Sequence, residues 1–213
     1  PERFGRADLE KAGGDGVSVF LDLRQDSGEF LGNHLQGALW TPMEGTALTE
    51  VVGSFVPEKT PLVLLVNEDE EVEEAVRQLV RIGYDDLVGW IPVEEALSSG
   101  TATESIAQIE TGQLAETRAD SPGLVLDVRR AAESVEGQFA DAKQIAHTRL
   151  AVRLGELPKS GRIYVHCRSG RRATFAAAYL ASKGYDVIHV DGFVHEHLAS
   201  QPAWGGSSAR ARK

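Results

Sequence analysis

Ile163-Tyr164-Val165-His166-Cys167-Arg168-Ser169-Gly170-Arg171-Arg172 is the stretch whose reading decides the fold. Residues 163–165 form a short β-branched and aromatic run, entered from the turn-like Lys159-Ser160-Gly161. Residues 173–182 carry a helical pattern, with Phe175, Ala178, Tyr179 and Ala181 available for an inward face and Gly184 as a stop. A loop between a buried strand and a helix aims its backbone N–H groups inward and meets the positive end of the helix, which makes an anion cradle. Cys167, the single cysteine of the chain, stands at its base. The helix dipole and Arg168, Arg171 and Arg172 favour its thiolate, so its pKa is expected below the free value of ~8.5. Three arginines beside a glycine do not face an apolar core, because burying unpaired charge is costly. The cysteine therefore reads as a nucleophile and not as a packing residue.

Spacing separates the two cysteine chemistries that use such a cradle. Tyrosine-phosphatase-like enzymes place five residues between the cysteine and an arginine that clamps the phosphoryl group bidentately. Here that position is Ala173, and the loop closes one residue earlier at Arg172. The six-residue loop 167–172, Cys-x-x-Gly-x-Arg, resembles the active-site loop of rhodaneses, the thiosulfate and persulfide sulfurtransferases. A phosphatase or arsenate-reductase-like enzyme using the same cysteine is the alternative. A non-catalytic sulfur-carrier or regulatory module of a larger hydrolase is a third reading.

The resemblance continues outside the loop. Leu124-Val125-Leu126-Asp127-Val128-Arg129 is similar to the strand and Asp-x-Arg signature that opens a rhodanese domain, and Glu133 with residues 137–142 follows in the expected place. In that stretch Gln138 and Asp141 depart from the family's histidine and second glycine. Val187-Ile188-His189-Val190-Asp191-Gly192 is similar to the family's last strand and glycine turn. The first half repeats these signals. Leu21-Asp22-Leu23-Arg24 mirrors residues 126–129, residues 62–65 mirror 163–166, and Gly83-Tyr84-Asp85 mirrors Gly184-Tyr185-Asp186. The resemblance implies an α/β protein of two rhodanese-like domains, each a mainly parallel sheet with helices on both faces. The expected domains are residues 1–98, without a catalytic cysteine, and 104–200, with the active loop, parted by the small-polar run 98–103. Residues 106–109 are expected as an opening edge strand, and Thr111 as the cap of a helix over 112–118. Residues 201–213 read as a flexible tail.

Aligning the repeats sets Val66 at the cysteine position, followed by Asn67-Glu68-Asp69-Glu70-Glu71. Valine has no nucleophile, and the acids repel an anionic donor while matching the dipole of the next helix. The first half is therefore expected to fold without a sulfurtransferase site.

The mechanism implied is attack of the Cys167 thiolate on a sulfane sulfur. Arg168, Ser169, Gly170, Arg171, Arg172 and the Ala173 backbone would hold the resulting persulfide. Asp127, Arg129 and His166 are candidate loop supports. With no second cysteine, discharge goes to an external acceptor: cyanide, sulfite or a thiol. No cofactor or metal is expected, since His147, His189, His195 and His197 lack metal spacing and default to surface histidines. Trp40, Trp90 and Trp204 are expected in core or interdomain packing. A net charge of −10 argues against a nucleic-acid partner. No apolar stretch reaches the ~18–20 residues of a membrane span, and one cysteine fits a reducing cytoplasm. The resemblance adds a fused or partner metallo-hydrolase domain as a candidate associate, because rhodanese pairs accompany metallo-β-lactamase-fold hydrolases, including persulfide dioxygenases.

Overall fold

The computed structural model describes residues 1–135, 137–139 and 141–192. The first half runs β1 (Glu2–Arg3), α1 (Arg6–Gly14), β2 (Val19–Asp22), α2 (Ser27–Gly32), β3 (His34–Leu35), β4 (Leu39–Trp40), α3 (Ala47–Phe55), β5 (Leu62–Val66), α4 (Glu71–Arg81), β6 (Leu87–Pro92) and α5 (Val93–Ser98). After β7 (Thr103–Glu104), the second half continues with β8 (Ala107–Glu110), α6 (Leu114–Asp120), β9 (Gly123–Asp127), α7 (Ala131–Ser134), β10 (Lys143–Gln144), β11 (Arg162–His166), α8 (Arg171–Ser182) and β12 (Asp186–Asp191).

Two five-stranded sheets result, in the orders β4-β2-β5-β6-β1 and β10-β9-β11-β12-β8. Every pairing within them is parallel. With strands counted in chain order within each sheet, both sheets have the same order, third-second-fourth-fifth-first. The repeat seen in the motifs is thus a repeat of connectivity. β5 is buried at every residue, as a central parallel strand covered on both faces must be. Register ties the halves together residue by residue: Asp22 pairs with Leu65, and Asp127 with His166. Matching Asp22 to Asp127 therefore puts Val66 where Cys167 stands.

α8 departs from its expected one-sided burial. It begins at Arg171, and every residue from Ala173 to Leu180 is buried. One side covers β11 and β12, and the other meets β4. Phe175 packs on Trp40 at a ring distance of 5.3 Å, and Tyr179 stacks on Phe55 at 4.5 Å. The run Ala176-Ala177-Ala178 lets sheet and helix backbones approach closely, so one apolar core runs from Leu9 to Val187 through this helix. A smaller cluster of Leu114, Val125, Tyr164, Ile188 and Val190 covers the opposite face of the second sheet.

The small-polar run at 98–103 does not swing free. β7 pairs antiparallel with β3, the Gln36 N–H donates to the Ala102 carbonyl at 3.0 Å, and the Ile106 N–H to that of Leu31 at 2.8 Å. The expected edge strand is β8. Thr111 does not cap the following helix: its hydroxyl donates to the Asp191 carbonyl, and a 3-10 turn over Thr111–Gln113 precedes α6. No described helix is long and apolar enough to cross a membrane.

Candidate active site

β11 carries Cys167 to the carboxyl end of the second sheet, the edge where α/β proteins bind ligands. The free thiol is only 1% exposed. Gly170 closes the loop at φ +86°, and a Cβ there would stand 2.5 Å from Asp191 Oδ1, so both conformation and space demand glycine. The Gly170 carbonyl accepts from His189 Nε2 at 3.1 Å, the Thr174 N–H at 2.9 Å and the Thr174 hydroxyl at 3.2 Å. Among the described residues, the N–H groups from Arg168 to Ala173 donate to no turn, loop or side-chain acceptor. They are open to a ligand.

The first-half loop is closed on itself. The Asn67 N–H donates to the Glu71 carboxylate at 2.9 Å, the Glu71 N–H to the Glu68 carbonyl at 3.1 Å, and the Val72 N–H to that of Asp69 at 3.3 Å. None of these residues takes a positive φ. A carboxylate and two carbonyls of the loop thus occupy three donors whose counterparts are free beside Cys167.

The three arginines are not equivalent. Arg172 makes a bidentate pair with Glu133, at 2.7 and 2.8 Å. That bond holds the Glu133 carboxyl down at about 2, and it is also the main cause raising Arg172, with a smaller contribution from the neighbouring Cys167. Arg171 reaches into the first half, donating to Glu44 Oε2 at 3.1 Å and to the Glu44 carbonyl at 2.9 Å. Arg168 is exposed and makes no ion pair among the described residues. Ser169 is exposed at the cavity wall, whereas the Ala173 side chain is fully buried, leaving only its backbone to the loop.

Asp127 and Arg129 form a buried pair at 2.6 Å, and Arg129 also donates to the Gly137 carbonyl at 2.7 Å. Burial pushes the Asp127 carboxyl up, but the hydrogen bonds of the Arg129 side chain and backbone, with the nearby charge, together outweigh this and leave it lowered. Asp22 and Arg24 repeat the pair at 2.7 Å in the half that has no thiol, with Arg24 donating to the Asn33 carbonyl at 2.8 Å. Its recurrence there assigns the pair to the fold: it clamps a strand end to the loop that follows. His166 is fully buried, edge-on to Phe139 at 5.1 Å, and neither ring nitrogen has a hydrogen-bond partner among the described residues. Burial lowers it to about 4, so its ring is neutral.

His147 and His189 are buried, which corrects their default as surface residues. Burial also lowers the pKa of His189. His195, His197, Trp204 and residues 201–213 lie outside the described residues. Among the described residues no group of three His, Cys, Asp or Glu side chains is placed to hold a metal ion.

A cavity of about 590 Å³ opens over the loop, walled by Ser169, Arg171 and Arg172 on one side and Glu44, Thr46 and Glu50 on the other. Glu50 also holds His147 across the two halves, Nε2 to Oε1 at 2.6 Å. The sequence carries no signal for Glu44, Glu50 or His147, because their partners stand about a hundred residues away along the chain. Glu133 did have a signal, its place after the Asp-x-Arg signature.

Residues 110–199 match the Rhodanese-like domain family. A sulfurtransferase of Allochromatium vinosum is 35% identical over 81 residues, which are 38% of this chain and 76% of the relative. Among solved structures, reduced Bacillus anthracis CoADR-RHD is similar at 28% identity and a TM-score of 0.40, over 44% of this chain and 17% of that one. The thiosulfate sulfurtransferase of Pseudomonas aeruginosa is similar at 17% identity and a TM-score of 0.41, over 94% of this chain and 43% of that one. The family match falls on the half that holds the open cysteine loop, and together with the sulfurtransferase relative it places the chain in the rhodanese family.

Proposed function

We propose that this protein is a sulfurtransferase that moves sulfane sulfur through a Cys167 persulfide. The observation that carries the reading is the loop itself: a lone cysteine beneath a run of N–H groups that the fold leaves undonated, closed by a left-handed Gly170. The Cys167 thiolate attacks the outer sulfur of thiosulfate or a low-molecular-weight persulfide, and sulfite or a thiolate leaves. The N–H groups of 168–173 then hold the charged terminal sulfur, as an oxyanion hole holds developing charge. Arg168 and Arg171 attract an anionic donor from the cavity mouth. Arg172, tied to Glu133, holds the loop and adds positive charge beside the sulfur. Discharge goes to cyanide, sulfite or a thiol, and the cycle is ping-pong.

In this reading the chain is a tandem of two rhodanese-like units, residues 1–98 and 104–200, acting in the cytoplasm without cofactor, nucleic acid or membrane. The first unit is silent and walls the site of the second. A fused or partner metallo-hydrolase is a fitting associate. Phosphatase chemistry is disfavoured because position 173, where it needs a clamping arginine, is a buried alanine.

Intact mass tests the proposal. After incubation with thiosulfate, and separately with glutathione persulfide, the chain should gain about one sulfur atom that cyanide or dithiothreitol removes. Cys167→Ser should gain none and lose all thiosulfate:cyanide transfer. Sulfur transfer persisting in that variant would exclude the mechanism, and faster hydrolysis of an aryl phosphate by the wild type would favour the phosphatase.

A further inference from the structure

Three carboxylates line the cavity over the loop: Glu44, Glu50 and Glu133. Two are committed to guanidinium groups. Glu133 gives both oxygens to Arg172, and Glu44 takes one of the hydrogen bonds of Arg171. A carboxylate held by arginine is a poor base, and Glu133 is accordingly held at about 2. Glu50 differs. Its Oε1 meets the buried His147 Nε2 at 2.6 Å, and its other oxygen makes no hydrogen bond among the described residues. The side chain is 31% exposed, while the histidine behind it is 1% exposed. The imidazole fixes one edge of the carboxylate and leaves the other to the cavity.

Resting on the sulfurtransferase reading above, we propose that Glu50, supplied by the cysteine-less half, is the general base for thiol acceptors, with His147 as its positioning residue. A sulfite acceptor arrives as an anion and needs no base. A thiol must lose a proton before it attacks. Glu50 takes that proton, and the acceptor sulfur bonds to the terminal sulfur of the Cys167 persulfide. The Sγ–S bond breaks with its electron pair to Sγ, and the transferred sulfur leaves as the acceptor's persulfide anion. Cys167 remains a thiolate, and Glu50 releases its proton to water at the cavity mouth. The charge sums to the same value before and after, and no oxidant is required. The half without a nucleophile thereby selects the acceptor.

The test uses the full chain preloaded with one sulfur on Cys167 and follows single-turnover discharge into glutathione or into sulfite. Glu50→Gln should slow discharge into glutathione by at least about tenfold, general-base contributions being commonly larger, and leave discharge into sulfite within about twofold. Glu50→Asp keeps the charge and should lose less in the glutathione arm, which serves as the comparison if the glutamine variant does not fold. An equal fall in both arms would make Glu50 an interface contact and overturn the proposal, as would an unchanged glutathione rate. A wild-type chain that takes up no sulfur would instead defeat the sulfurtransferase reading itself, and this proposal with it.

Discussion

At position 170 a single methyl group decides whether the cradle closes. Gly170 adopts a left-handed backbone, and its missing Cβ leaves room for Asp191, whose other oxygen accepts from Gln108 at 3.1 Å. Gly170→Ala should therefore cost about 1–3 kcal/mol, read as a lowered Tm, and should slow sulfur loading of Cys167 more than tenfold. Unimpaired loading would mean that the loop tolerates another closure. His166 offers a second residue-scale check. Its folded value of about 4 lies below its ordinary 6.5, so between these pH values the unfolded chain binds a proton that the folded chain does not. Stability is complete above pH ~6.5 and falls as pH drops toward ~4, by on the order of 3 kcal/mol over the window. Urea titrations from pH 7 to pH 4 should show this slope in the wild type and a flatter one in His166→Gln.

The element that matters is the strand–loop–helix unit, and the chain contains it twice with opposite outcomes. Among the described residues, β11 and α8 enclose six undonated N–H groups, whereas three of the six that β5 and α4 enclose are already taken by Glu71, Glu68 and Asp69. Identical strand order and register show that the backbone frame is not the difference. The difference is a glycine able to turn left-handed and a carboxylate able to fold back. Val66→Cys in a Cys167→Ser background should consequently load no sulfur, since the Glu71 carboxylate still fills the cradle and repels thiolate and donor alike. Replacing 66–71 with Cys-Arg-Ser-Gly-Arg-Arg should restore measurable loading. Sulfur stoichiometry per chain reads both variants, and loading by the single change at the wild-type rate would refute this account of the acidic loop.

Across the whole molecule, α8 is the shared wall, and the site mouth is assembled from both halves. The Arg171–Glu44 pair crosses this boundary with both side chains well exposed, at 40% and 75%, so it contributes little stability. Arg171→Gln should leave Tm within about 2 °C while raising the thiosulfate KM, with the KM effect shrinking at high salt because exposed charge acts through screened attraction. Arg172→Gln strands Glu133 beside the cysteine and should lower kcat in a salt-independent manner. Equal salt dependence in the two variants would remove the distinction drawn between these arginines.

The fold and the loop that carries Cys167 were legible in the chain because their causes are local. A β-branched run, a glycine, three arginines and a helical pattern lie within about twenty consecutive residues, and the apolar run and helical pattern, without the glycine and arginines, recur a domain-length earlier. The acidic loop was legible for the same reason, since Val66 and the acids after it can be read without neighbours. The burial of His147 and His189 and the second buried face of α8 were not legible, because burial depends on what the other half brings. Only the tertiary structure set Phe175 against Trp40, Arg171 against Glu44 and His147 against Glu50. These contacts span about a hundred residues or more, where no periodicity or spacing rule reaches. The sequence determined where the lone cysteine stands and what flanks it in the chain, and the packing of two like units decided what surrounds it.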